Sequence, residues 1–138
     1  MNYFLDSNIF LRVIMREDKK TAEECERILE KIKTGDIQAG ISNLVLVEIG
    51  WVLRSYYKVS REKVAQSLMG IRNMDGLEIF GDQENWDYGL GLFSKFNVKL
   101  TDALIASYTF ILDKSWIIVS YDEDFKKLPV KWLKPGQV

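Results

Sequence analysis

The sequence predicts an α/β fold, with helices on both faces of a parallel sheet. Three observations carry that reading. The runs Tyr3-Phe4-Leu5 and Trp116-Ile117-Ile118-Val119 are apolar without alternation, as strands buried on both faces are. Strand-like and helix-like stretches alternate along the whole chain, the pattern of βαβ units. Each of those two runs is also followed by a carboxylate, Asp6 at once and Asp122 after Ser120-Tyr121. In open α/β sheets the carboxyl ends of the strands form the rim where ligands bind.

Each element has its own signal. Tyr3–Leu5 is the first strand, and Ser7 or Asn8 is expected to cap a helix over Asn8–Met15. Arg16–Lys20 reads as a polar turn. Thr21 with Glu24 has the spacing of a capping box, opening a helix to Lys33 that Gly35 stops. Ile37–Ile41 is a second strand. Ser42 or Asn43 is placed to cap a helix from Leu44 to Tyr57, and Ser60 opens another that runs to Asn73. Leu77–Phe80 alternates as a third strand. Asp82–Phe96 and the more apolar Thr101–Leu112 read as two helices. Trp116–Val119 is the fourth strand, Lys131–Leu133 a fifth, and Pro135-Gly136 ends the ordered chain. No repeat, linker or low-complexity stretch interrupts this order.

The composition narrows the chemistry. At 138 residues the chain forms one domain, and 47% apolar with 28% charged residues is globular usage. No apolar run has the ~18 residues a membrane span needs, and Asp6 interrupts the N-terminus where a signal peptide would be apolar. The single cysteine, Cys25, lies in a helical run and reads as a packed, inert thiol. With no partner for a disulfide it fits a reducing cytoplasm, the expected location. The absence of histidine removes Ser-His and Cys-His nucleophiles, two-histidine phosphodiester chemistry and histidine metal sites. Carboxylates, or a metal held by oxygen ligands, must then supply any catalysis. A net charge of −1 leaves nucleic-acid affinity to a local basic patch.

Four acids have matching addresses. Asp6 and Asp122 follow apolar strands; Glu48 and Asp102 lie in the first turns of helices. Each has an ordinary explanation. Glu48 could pair with Arg54 or Arg12, Asp102 could be a helix-start acid, and Asp122 with Asp124 could be a turn. Together they would meet at one edge of the sheet. Carboxylates gathered there repel one another unless cations neutralise them. All-oxygen ligands suit Mg²⁺ or Mn²⁺, not Zn²⁺. Such a site can activate water and stabilise charge on a phosphoryl oxygen.

The sequence Leu5-Asp6-Ser7-Asn8, then Val47-Glu48-Ile49, then Thr101-Asp102-Ala103-Leu104-Ile105-Ala106, then Val119-Ser120-Tyr121-Asp122-Glu123-Asp124-Phe125 resembles the PIN-domain nucleases. It is most similar to the small VapC-type toxins of toxin–antitoxin pairs, over roughly Tyr3 to Leu128. The resemblance implies a three-layer α/β/α sandwich on a five-stranded parallel sheet, Mg²⁺- or Mn²⁺-dependent RNA cleavage, an antitoxin partner and a homodimer. By position it makes Asp6, Glu48, Asp102 and Asp122 the metal-binding acids. Ser120 and Asp124 support them, and Asn8 orients Asp6.

Basic residues for RNA are Arg12 and Arg16, on the helix after Asp6, with Lys126 and Lys127 past the last acids; a solvated face is the ordinary alternative for each. Trp51–Tyr57 could form a dimer or partner surface, whereas Trp51 itself is expected in the core, because it shares a helix face with Leu44 and Glu48. The expected function is that of a metal-dependent endoribonuclease, the toxin of a toxin–antitoxin pair. An RNA-maturation nuclease or an inactive scaffold of the same fold are the alternatives. A receiver or nucleotide-binding module fares poorly: there is no Gly-rich phosphate loop, and a receiver would pair acids at the first strand, where Asp6 stands alone.

Overall fold

The computed structural model describes every residue from Met1 to Val138. Five short strands, β1 (Asn2–Leu5), β2 (Gln38–Ser42), β3 (Leu77–Phe80), β4 (Trp116–Val119) and β5 (Trp132–Leu133), form one sheet in the order β3-β2-β1-β4-β5. Every pairing is parallel. The helices are α1 (Ser7–Met15), α2 (Lys19–Lys33), α3 (Asn43–Ser55), α4 (Arg61–Arg72), α5 (Trp86–Lys95), α6 (Leu100–Ala106) and α7 (Thr109–Leu112).

The strand order fixes the layers. Right-handed crossovers are the rule for parallel strands. The steps β1→β2→β3 run one way along the sheet and place α1–α4 on one face. The return step β3→β4 runs the other way and places α5–α7 on the opposite face. The packing agrees: α1 lies against α2 and α3, α3 against α4, α5 against α6, and α7 against β4. Gly89 of α5 makes the α5–α6 contact close, since a Cβ there would come within 2.9 Å of Leu104 Cδ2. Phe4, Leu5, Ile41, Ile118 and Val119 carry the sheet's share of the core. The direction of winding reverses between β1 and β4, where ligand crevices open in such sheets.

Several boundaries differ from the sequence reading, each for a local reason. Asp6 caps α1, its carboxylate accepting from the Ser7 N–H; neither Ser7 nor Asn8 does so. Asp18 caps α2 by accepting from the Thr21 N–H at 3.0 Å, so the helix starts two residues before Thr21 and has no capping box. Ser42 stands at the α3 cap position without capping, because its hydroxyl is 2.9 Å from the Tyr108 hydroxyl. Ser60 caps α4 as expected. Residues 82–85 are not helical; Asn85 accepts from the Tyr88 N–H and α5 begins after it. The stretch read as one helix over Thr101–Leu112 breaks at Ser107-Tyr108, leaving α6 and α7. The C-terminus stays ordered as a 3-10 turn over Pro135–Gln137 with Pro135 buried.

Trp51 is the largest departure. It is 68% exposed, as is Val47 at 69%, so this face of α3 points to solvent. Val45, Leu46, Ile49 and Leu53 are buried instead.

Candidate active site

The site lies at the carboxyl edge of β1 and β4. Leu5 is in register with Val119, and the Asp6 N–H donates to the Val119 carbonyl at 3.0 Å. That pairing sets Asp6 beside Ser120, both fully buried. Ser120 Oγ donates to Asp6 Oδ2 at 2.6 Å, while Asp6 Oδ1 accepts the Ser7 N–H at 2.8 Å. Asn8 Nδ2 reaches both partners, 3.2 Å from Asp6 Oδ2 and 3.0 Å from Ser120 Oγ, and its Oδ1 accepts the Tyr121 N–H. Ser120 Oγ also accepts the Asp122 N–H at 2.9 Å. One serine and one asparagine thus tie the end of β1 to the turn after β4.

Glu48 and Asp102 arrive from the helices. Glu48 lies on the second turn of α3 with its side chain 13% exposed, and Asp102 sits within α6, buried completely. Glu48 Oε2 and both oxygens of Asp102 have no hydrogen-bond partner. Buried polar atoms are almost always paired, so three such atoms on two neighbouring acids require an explanation.

The electrostatics describe a crowded pit. Burial raises the Asp6 carboxyl to about 6, against the lowering effect of Ser120, and Glu48 adds to the rise. Burial again, then the charge of Asp6, followed by those of Asp122 and Glu48, pushes Asp102 up to about 8 although Lys99 opposes it. The charges of Asp6, Asp122 and Glu48 are thus all felt at Asp102.

Lys99 was not singled out by the sequence, and it stands at the mouth of the pit. Its Nζ is 3.2 Å from Glu48 Oε1 and 3.8 Å from Asp122 Oδ2. The partners expected for Glu48 are engaged elsewhere: Arg54 donates to the Val59 carbonyl, and Arg12 donates to Thr21 Oγ1 and lies over the Tyr121 ring. The available signal was a lone cation three residues before a helix-start acid.

The remaining residues are less central. Asp124 is 2.9 Å from Lys127 and partly exposed, and its N–H donates to Asp122. Arg16 pairs with Glu26, and Lys126 pairs with Glu123 at 2.6 Å, so the basic side chains carry local partners. Cys25 is packed under Tyr121, donating to its hydroxyl, with the thiol pushed up to about 11 by burial.

A sequence model of the PIN domain matches residues 3–131. The chain belongs to the PIN-domain family. It is a family of nucleases whose members generally use divalent metal ions. No curated protein sequence matches the chain. Among solved structures, the PIN fold seen here is similar to VapBC2 from Rickettsia felis bound to a DNA fragment from its promoter, with 22% identity, a TM-score of 0.70, and 97% of this chain and 98% of that chain covered. DNA-bound VapBC from Salmonella typhimurium gives 15% identity and a TM-score of 0.71, with 98% of each chain covered. VapBC-1 from nontypeable Haemophilus influenzae gives 12% and 0.62, again with 98% of each covered. At these identities the likeness is one of fold. No helix of this PIN domain is long and apolar enough to cross a membrane.

The acids of this PIN domain suit a hard divalent cation. All donors are oxygens, as Mg²⁺ and Mn²⁺ prefer, and three buried oxygens lack any partner. No three acids are yet arranged as a closed ligand set, with Lys99 drawn onto two of them.

Proposed function

We propose that this PIN domain is a Mg²⁺- or Mn²⁺-dependent endoribonuclease that hydrolyses RNA phosphodiester bonds, and that it is the toxin of a toxin–antitoxin pair. The observation that carries the proposal is the set of unpartnered, buried oxygens on Glu48 and Asp102 beside Asp6. Asp6, Glu48, Asp102 and Asp122 would hold the cation, and Asp124 could join by leaving Lys127. Bound there, a divalent cation would activate water and stabilise charge developing on the phosphoryl oxygens. The chain's own contribution is orientation. Asn8 and Ser120 fix Asp6 Oδ2, the Ser7 N–H fixes Oδ1, and Ser120 fixes the backbone before Asp122. Burial keeps bulk water from Asp6 and Asp102, so a cation held beside them is weakly screened and favours their charged forms. Arg12, Arg16 and Lys126 are the RNA-phosphate contacts of this reading, each exchanging its local partner for a phosphate.

Asp6→Asn, Glu48→Gln and Asp102→Asn should each reduce RNA cleavage about 100-fold or more while the protein stays folded, because each removes charge that the transition state uses. Near-native cleavage by any two, with metal present, would reject the site.

The partner in this reading is an antitoxin that sets an Arg into the acidic pit, since a guanidinium fork matches carboxylates. The VapBC assemblies among the structural neighbours motivate it. Co-expression with the product of the adjacent gene should give a co-purifying complex with suppressed cleavage. Absence of both effects would favour RNA maturation. A homodimer through the exposed face of α3 completes the proposal.

A further inference from the structure

Lys99 has a place in the fold that its neighbours make unusual. It immediately precedes α6, and its ammonium bridges Glu48 of α3 and Asp122 of the turn after β4, at 3.2 and 3.8 Å. The acids form the floor of the pit: Asp102 is fully buried, Asp6 is 1% exposed, and the Lys99 side chain is 53% exposed above them. One ammonium cannot satisfy this group. It engages one oxygen of Glu48 and one of Asp122, leaving Glu48 Oε2 and both oxygens of Asp102 without partners. The unpartnered oxygens mark the part of a ligand set that a single positive charge does not reach. The two oxygens held by Lys99 belong to acids that the proposed function assigns to the cation.

We infer that Lys99 is a resident counter-cation of the pit, a positioning residue that holds Glu48 and Asp122 and must swing out before a divalent cation can take them. The inference rests on the metal-dependent reading above. Its stem has a free path outward, because half the side chain already faces solvent. Lys99 therefore does two opposed things. It lowers repulsion among the acids in the metal-free protein, and it competes with the cation for two of their oxygens, raising the concentration at which the site fills. An ordinary surface ion pair would contribute little to either effect.

The experiment is calorimetric titration of Mn²⁺ into metal-free wild type, Lys99→Met, Lys99→Arg and Lys134→Met, paired with melting curves. Lys99→Met keeps the stem and removes the charge. It should bind Mn²⁺ at least about fivefold more tightly than wild type, while its metal-free form melts lower. A merely structural role would weaken binding instead. Lys99→Arg should return affinity toward the wild-type value. Lys134→Met removes a positive charge from Glu123, outside the pit, and should leave affinity within about twofold, because screened surface charges act weakly at a distance. Lys99→Gln, which removes the charge but keeps a polar donor, serves if Lys99→Met does not fold. Equal or weaker Mn²⁺ binding by the uncharged variants, with wild type binding Mn²⁺, overturns the role of Lys99 and leaves the metal site standing. A wild type that binds no Mn²⁺ overturns both.

Discussion

Asp102 and Asp6 are carboxylates that the fold makes reluctant to ionise. Their raised values, about 8 and about 6 against an ordinary 3.8, mean that the native state binds protons which the unfolded chain has released. Stability from such groups is fully present below the unfolded value and is lost as pH rises through the folded one. The metal-free protein should therefore lose melting temperature steadily from about pH 4 to about pH 8. Exposed acids with lowered values, Asp18 and Asp113, act in the opposite sense but only below the ordinary carboxylate range. Asp102→Asn should flatten the upper part of that decline. A metal-free melting temperature that rises over the same interval would contradict the account of the pit.

At the scale of elements, legibility followed the kind of signal. The strands β1 and β4 were readable because runs buried on both faces need no alternation, and Asp6 and Asp122 at their ends were readable with them. Glu48 was readable as an acid among apolar neighbours, but its partner was not, since Lys99 comes from a turn 51 residues away. The α6–α7 break was hidden because it depends on side-chain hydrogen bonds: Ser107 Oγ donates to the Leu104 carbonyl and accepts the Asn85 N–H at 3.0 Å. Local bonds of this kind compete with helix continuation, and apolar periodicity does not register them.

The face of α3 failed for another reason. The helix is apolar nearly all round, so its pattern does not choose which side enters the core. The structure buries Val45, Ile49 and Leu53 and leaves Val47 and Trp51 outside, with Val47 lining a groove shared with the exposed Trp86. An exposed apolar surface of this kind suits an interface. Trp51→Glu should weaken self-association about 30-fold, the ~2 kcal/mol of a central aromatic anchor. Sedimentation equilibrium that finds wild type and variant equally monomeric would remove the dimer through α3.

For the whole molecule, the order β3-β2-β1-β4-β5 explains why acids distant in sequence share one site. The winding reverses between β1 and β4, and α3 and α6 approach that reversal from opposite faces. Glu48 and Asp102 thus converge on the pair Asp6 and Ser120 that the strand register has already joined. The same topology concentrates negative charge where water is excluded. That arrangement opposes the stability of the metal-free fold, and the cation of the proposed function would relieve it.

Melting with and without Mn²⁺ tests whether this pit holds a divalent cation. A cation that binds only the native state shifts unfolding by mass action. Wild type should melt at least about 5 °C higher in millimolar Mn²⁺ than in EDTA, with a smaller shift for Asp6→Asn. Superimposable wild-type curves in Mn²⁺ and EDTA would contradict the claim.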